Sequence, residues 1–404
     1  MNAIARLKKR WAVFSVAGFL ALSGLFLVLL LLWEPRFAIG WGITAVLGFS
    51  YLSWILWHNL PKNHRPGKVD LLPSLGPGNA LTLMRGVLLA FLAGFLFLPQ
   101  PGYPLAWVPA LIFTLVIAAD FFDGYLARVS NHVTRLGEAL DMRLDGIGIS
   151  IAILLAIQYG QLPTWYLVVA LARYLFLCGL YLRSRFGYPN QELPESVRRR
   201  AFAGLQMGFV SVMLWPIFTP PGTFVAAIVF AIPFLGGFLL DWLIVSAIIP
   251  STDSRRFMDA RWLVVNGFPV ALRLVLMASL ILFSWEKFLY YADRISSSIA
   301  LDIFSPEVFG MINFTLETFI MLLLIFGIAG RLASIAGLLL LGIDQIFGSL
   351  QLAQFLLIII YVSMIYLGTG PYSLWKPEDR LIFNKVGEAS RVSVLARSTA
   401  EYGD

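Results

Sequence analysis

The sequence predicts an all-α, polytopic integral membrane protein with about twelve transmembrane helices. Three observations predict it. Hydrophobic residues make up 59% of the 404 positions, and the mean hydropathy is +0.81. Charged residues make up only 13%, against about 25% in soluble proteins. Apolar runs of roughly 20 residues, enough to cross a bilayer core, recur along the whole chain. The alternating pattern of a strand-built barrel is absent.

In chain order, two spans come first, near 11–33 and 37–58. The leading one has too long an apolar core for a cleaved signal peptide, and no small-residue cleavage site follows it. Neither span carries residues with evident chemistry. Six spans follow near 79–98, 104–125, 137–159, 162–183, 201–217 and 222–249, then four near 262–285, 307–328, 332–348 and 351–368. The expected organisation is a two-helix amino-terminal region with its linker (1–70), a six-helix core (71–250), a four-helix bundle (262–380) and a cytoplasmic tail (381–404).

Charge placement sets the orientation. With Arg6, Lys8, Lys9 and Arg10 on the cytoplasmic side, that side also receives Lys62, Arg65, Lys68, Arg128, Arg135, Arg183, Arg185, Arg198 to Arg200, Arg255, Arg256, Arg261 and Arg331. The opposite side keeps Arg36, Lys287 and Arg294. This is the positive-inside pattern. It predicts cytoplasmic chain ends in a multi-pass protein of a bacterial-type inner membrane. The net charge of +7 is then an orientation signal. It calls for no nucleic-acid partner, and anionic lipid is the nearer acceptor. The one cysteine, Cys178, falls inside a span and reads as a small core residue. His58, His64 and His132 lack metal-ligand spacing and read as loop or interface residues. Trp33, Trp54, Trp57 and Trp107 cluster near span ends, as an interfacial belt does.

The chemistry concentrates between Asp120 and Asp145. Asp120 and Asp123 stand at i,i+3 and close one span; Asp141 and Asp145 stand at i,i+4 and open the next. Each pair shares a helix face. The polar turn from Ser130 to Leu136 brings the two pairs to one membrane face, which the charge pattern makes cytoplasmic. Carboxylates at membrane depth are costly, and two facing pairs form a cage of hard oxygen ligands for divalent cations. The bland reading is two helix-end pairs neutralised by Arg135 and Arg143. Upstream, Asn79 follows a Pro-Gly turn and reads as a helix N-cap, with Thr82 and then Arg85 further along the same span.

The eight fixed points Asp120, Asp123, Gly124, Ala127, Arg128, Gly137, Asp141 and Asp145 resemble the signature of the CDP-alcohol phosphatidyltransferase family at every position. The resemblance covers about 79–249. It implies that Asp120, Asp123, Asp141 and Asp145 ligate two Mg²⁺ or Mn²⁺ ions, and that Asp145 is also the catalytic base. It implies nucleotide contacts from Asn79, Thr82, Gly124, Ala127, Arg128 and Thr134. Arg128 offers a fork of donors to phosphate. Arg173, Arg183, Arg185 and Arg200 are the candidates for binding the acceptor. In members using glycerol phosphate, a G-K-x-K-T-x-x-Q-like element opens the next span. Here Arg200 and Gln206 fit, but the second lysine and the threonine are missing. A homodimer is a common assembly in the family.

The last four spans resemble the DoxX-like membrane family through Arg273-Leu274, Glu286-Lys287-Phe288, Glu317, Gly330-Arg331 and Gly368 to Leu374. Arg273, Glu317 and Asp344 are expected to pair with one another there.

The function expected is transfer of a phosphatidyl group from CDP-diacylglycerol, or another CDP-alcohol, to an alcohol acceptor, with release of CMP. The alternative is a transporter or channel using intramembrane carboxylates as ion sites.

Overall fold

A computed structural model describes residues 3–193, 197–248, 267–278, 306–346 and 352–377. The described residues form helices and no strand. These are α1 (Ala3–Leu32), α2 (Pro35–Asn59), α3 (Gly76–Ala93), α4 (Trp107–Val129), α5 (Arg135–Gln158), α6 (Leu167–Arg185), α7 (Val197–Met213) and α8 (Gly222–Val245). Then come α9 (Phe268–Ala278), α10 (Pro306–Phe326), α11 (Gly330–Ile346) and α12 (Leu352–Leu367). Each expected span overlaps one of these helices; 262–266 and 279–285 of the ninth span lie outside the described residues. Six of the helices are long and apolar enough to cross a membrane: α1, α2, α3, α4, α6 and α8. Helix α5 is not among them, because Glu138, Asp141, Arg143 and Asp145 load its first half with charge. Several helix ends lie outside the expected spans. The largest shift is at α1, which starts at Ala3, well before the expected 11; α4 continues past Asp120 and Asp123 to Val129.

Contacts divide the chain into two compact units. The first holds residues up to Tyr159 together with Val210–Pro216, and the second holds Gly160–Phe209 together with the described residues from Ile217 onward.

In the first unit, α1 and α2 pair through Ser15 and Ser53 (2.8 Å) and through the Trp11 indole, which donates to the Ser53 carbonyl (3.0 Å). Pro35 opens α2, where the missing N–H costs nothing. Trp41 fixes α2 to α3: it is fully buried and donates to the Phe91 carbonyl (3.1 Å). Leu7, Ile55, Leu56, Leu60, Leu75, Leu83, Leu136 and Leu140 form one apolar cluster that joins α1, α2, α3 and α5.

The linker between α2 and α3 is stitched down by polar groups. The fully buried Asn63 donates to the carbonyls of Leu72 (2.9 Å) and Ser74 (2.8 Å). His132, in the α4–α5 turn, lies 3.1 Å from the Ser74 carbonyl. The Arg135 N–H donates to the His64 carbonyl (3.0 Å). These bonds hold the start of α3 against the turn that joins the two carboxylate-bearing helices.

In the second unit, α6 packs on α8 through Phe176, Phe238 and Trp242. A Cβ on Gly179 would lie 2.6 Å from the Trp242 ring, so glycine is what permits this approach. Phe209 of α7 stacks on Phe230 of α8 with ring centroids 4.2 Å apart. Arg199 of α7 pairs with the buried Asp241 of α8 (3.4 Å).

Two expectations are corrected here. Cys178 is exposed on α6, not buried in a core; its neighbours Tyr174, Leu175, Leu177 and Tyr181 are exposed too, as on a helix face turned to lipid. Among the described residues, the partners of Arg273 are backbone carbonyls and not Glu317. Its guanidinium donates to the backbone carbonyls of Ile325, Thr369 (3.3 Å), Pro371 (3.2 Å) and Tyr372 (3.3 Å). It thus satisfies chain ends that no helix bond reaches. The Asp344 side chain and Glu286-Lys287-Phe288 lie outside the described residues.

Replacing Trp41 with alanine empties the contact between α2 and α3. Trp41→Ala is expected to lower the unfolding free energy in detergent by about 3–5 kcal/mol, read by reversible denaturation. A change within experimental error would show that α2 is not anchored there.

Candidate active site

Helices α3, α4 and α5 build the site. Asp120 and Asp123 face inward from α4, Asp141 and Asp145 from α5, and Arg85 of α3 reaches between them. Its Nη1 pairs with Asp120 and lies 3.8 Å from Asp123; its Nη2 lies 2.7 Å from Asp141 and 3.3 Å from Asp145. The Arg85 side chain is 1% exposed, whereas those of Asp120, Asp141 and Asp145 are 35%, 47% and 31% exposed. The cation is sealed at the back of the cage, and the carboxylates stay open at the front. Oxygens of Asp120, Asp141 and Asp145 all lie within 4.8 Å of one another. Hard carboxylate oxygens at this spacing suit Mg²⁺ or Mn²⁺. Asp123 is buried deeper, and its carboxylate accepts a hydrogen bond from Thr82 (2.9 Å).

Arg85 is the residue that sequence reasoning left out of the site. The bland reading assigned neutralisation to Arg135 and Arg143, and this is corrected. Arg135 pairs with Glu138 one turn along (2.8 Å), and Arg143 is exposed. The available signal was a cation one turn beyond Thr82 inside an apolar span, where an unpaired charge is not tolerated.

The small residues of the signature set the helix spacing. A Cβ on Gly78 would lie 2.7 Å from the Ala127 Cβ and 2.9 Å from the Asp123 carbonyl oxygen, so the α3–α4 crossing requires glycine and alanine there. A Cβ on Gly137 would strike the Asn79 carboxamide. That carboxamide donates to the Thr134 hydroxyl (2.9 Å), and Thr134 accepts from the Gly137 N–H (3.1 Å) as N-cap of α5. Asn79 is therefore not a helix N-cap, as the sequence suggested. It sits inside the first turn of α3, which begins at Gly76, and ties α3 to the start of α5. A Cβ on Gly124 would lie 3.0 Å from Arg128 Nη1, which runs back along the same face of α4.

The proposed acceptor residues belong to the second unit. Arg173 is half-buried on α6, Arg185 is exposed, and Arg200 lies on α7. Arg183 holds the chain after α6, donating to Pro189 (3.0 Å) and Asn190 (3.1 Å). Gln206 is fully buried and donates to the Tyr166 hydroxyl.

Residues 77–249 match the family model described as CDP-alcohol phosphatidyltransferase. Among curated proteins, the chain is 37% identical over 92 residues to a CDP-diacylglycerol--glycerol-3-phosphate 3-phosphatidyltransferase of Salmonella choleraesuis, covering 23% of this chain and 48% of the relative. It is 30% identical over 125 residues to the protein of the same description from Bacillus subtilis, covering 31% and 61%. The Escherichia coli K12 protein of that description is 36% identical over 92 residues, covering 23% and 48%. The chain thus spans about half to three-fifths of the length of these relatives. No solved structure matches the chain.

Thr82→Val removes the donor that holds the buried Asp123 carboxylate. The expected outcome is a loss of about 1.5–3 kcal/mol in unfolding free energy, since a hydrogen bond to a charged group is lost. Unchanged stability would show that Thr82 does not hold Asp123.

Proposed function

We propose that the protein is a membrane-embedded phosphatidyltransferase, taking CDP-diacylglycerol and an alcohol to a phospholipid and CMP. The observation that carries this reading is the meeting of Asp120, Asp141 and Asp145 from two antiparallel helices within the stretch that matches the family model. In the reaction, the acceptor oxygen bonds to the phosphorus that bears the diacylglycerol. The bond from that phosphorus to the CMP oxygen breaks, and CMP leaves with the electron pair. Two divalent ions, Mg²⁺ or Mn²⁺, would supply the charge neutralisation that such a diphosphate needs.

The residues of this chain supply the rest. Asp120, Asp123, Asp141 and Asp145 provide the oxygen donors. Asp145, on the open side of the cage, takes the proton of the acceptor hydroxyl. Arg128 offers its guanidinium to phosphate oxygens on the CDP side. Gly124 keeps that face of α4 free of a side chain. Asn79, Thr82, Ala127 and Thr134 hold the floor on which the nucleotide rests.

The names of the relatives nominate glycerol 3-phosphate as the first acceptor to test. Arg173, Arg185 and Arg200 are the cations offered to its phosphate. Arg183 is the weaker candidate, because Pro189 and Asn190 occupy it. The missing lysine and threonine near Arg200, and the engagement of Gln206 with Tyr166, keep other alcohols in the test. The positive-inside pattern supports an inner membrane with the site and both termini cytoplasmic. The DoxX-like bundle and a homodimer belong to the same reading.

Purified protein with CDP-diacylglycerol, glycerol 3-phosphate and Mg²⁺ or Mn²⁺ is expected to release CMP, and a chelator to stop it. Asp145→Asn is expected to cut turnover by about 10²–10⁴-fold while folding normally. Near-normal turnover would remove Asp145 from the role of base. Lipid mass read across a panel of alcohols identifies the acceptor. Absence of CMP release with every alcohol would favour the transport alternative.

A further inference from the structure

Arg85 is held by more of the site than any substrate role demands. Its two terminal nitrogens divide between the helices, with Nη1 toward the α4 pair and Nη2 toward the α5 pair. The side chain is almost wholly buried, and its Nε–H has no hydrogen-bond partner. A buried donor left unsatisfied is costly, so charge, not hydrogen-bond completeness, holds the side chain here. Four carboxylates thus converge on the one guanidinium of Arg85. The cation also lies within contact of the same oxygens that a divalent ion would use: Asp120, Asp141 and Asp145.

We propose that Arg85 is a resident counter-cation, a positioning residue that stands in for the divalent ions when the site is unloaded. It keeps the α4 and α5 carboxylates together in the ion-free protein, and it competes with ion entry. This rests on the reading of the carboxylates as ion ligands. Arg85 thus has two opposed effects. It stabilises the ion-free state, because four like charges would otherwise face one another, with solvent screening only the open side of the cage. It weakens ion binding, because a fixed positive charge among the ligands repels a second cation. Both effects act in one direction on the difference between loaded and unloaded states. Removing the cation raises the free energy of the unloaded state more than that of the loaded one, so ion affinity must rise. A residue that merely packs α3 against α4 and α5 would destabilise both states alike and leave ion affinity unchanged or reduced.

The test compares wild type, Arg85→Met and Arg85→Lys, each full-length in detergent. Mn²⁺ binding is followed by the free-ion signal in electron paramagnetic resonance, and melting temperature is measured with and without Mn²⁺. R85M is expected to bind Mn²⁺ about tenfold more tightly or better, to melt lower than wild type without ion, and to gain more from Mn²⁺ than wild type does. R85K is expected to fall between the two, because a single ammonium reaches the carboxylates of one helix and not both. R85M that folds only with Mn²⁺ present is the same result in its extreme form. Unchanged or weaker Mn²⁺ binding by R85M, with wild type binding normally, overturns the proposal while sparing the ion-site reading. So does an R85M that fails to fold with or without Mn²⁺, if R85K binds as wild type does. Wild type that binds no Mn²⁺ overturns the ion-site reading, and the role of Arg85 with it.

Discussion

Like charges brought together between packed helices repel, and solvent reaching one side screens that repulsion only in part. Asp120, Asp123, Asp141 and Asp145 stand under that constraint, and much of the first unit answers it. Arg85 enters from α3 to offset part of the charge. Thr82, one turn earlier, gives Asp123 a donor. Gly78 and Ala127 let α3 come close enough to α4 for both contacts, and Gly137 does the same between α3 and α5. The Asn79–Thr134 bond and the Asn63-centred linker then fix where α3 starts. Residues that look unrelated in the chain are parts of one electrostatic arrangement.

That arrangement explains what was legible in the sequence. The helices themselves were, because a membrane-spanning helix satisfies its own backbone and announces itself by length and apolarity. The carboxylate pairs were too, because i,i+3 and i,i+4 spacing is local and two such pairs across a short turn must come together. Arg85 was not assigned. Its partners lie 35 to 60 positions away on two other helices, and nothing in its own neighbourhood marks which charges it meets. Asn79 was misread for a related reason. After a Pro-Gly turn it has the local look of a cap, but the helix begins earlier and the carboxamide is taken by Thr134 from a distant turn. Cys178 shows a further limit: in an apolar span, sequence alone does not separate a face turned to other helices from one turned outward.

The second unit shows the same economy with a different solution. Arg273 is expensive at membrane depth, and the sequence suggested an acidic partner. Backbone carbonyls satisfy it instead, gathered from the end of α10 and the turn after α12. An arginine with five donors can close several chain ends at once. Asp241, buried in α8, takes the other route and pairs with Arg199. The match to the family model ends at residue 249; the Arg199–Asp241 pair lies within it and Arg273 beyond it.

The proposed function requires two divalent ions side by side among the carboxylates of α4 and α5. Electron paramagnetic resonance of wild-type protein saturated with Mn²⁺ in the presence of CDP measures this directly. The predicted result is two bound ions per chain with the exchange-coupled spectrum of a pair about 3.5–4 Å apart. A spectrum of isolated, uncoupled ions, or no bound Mn²⁺, would contradict it.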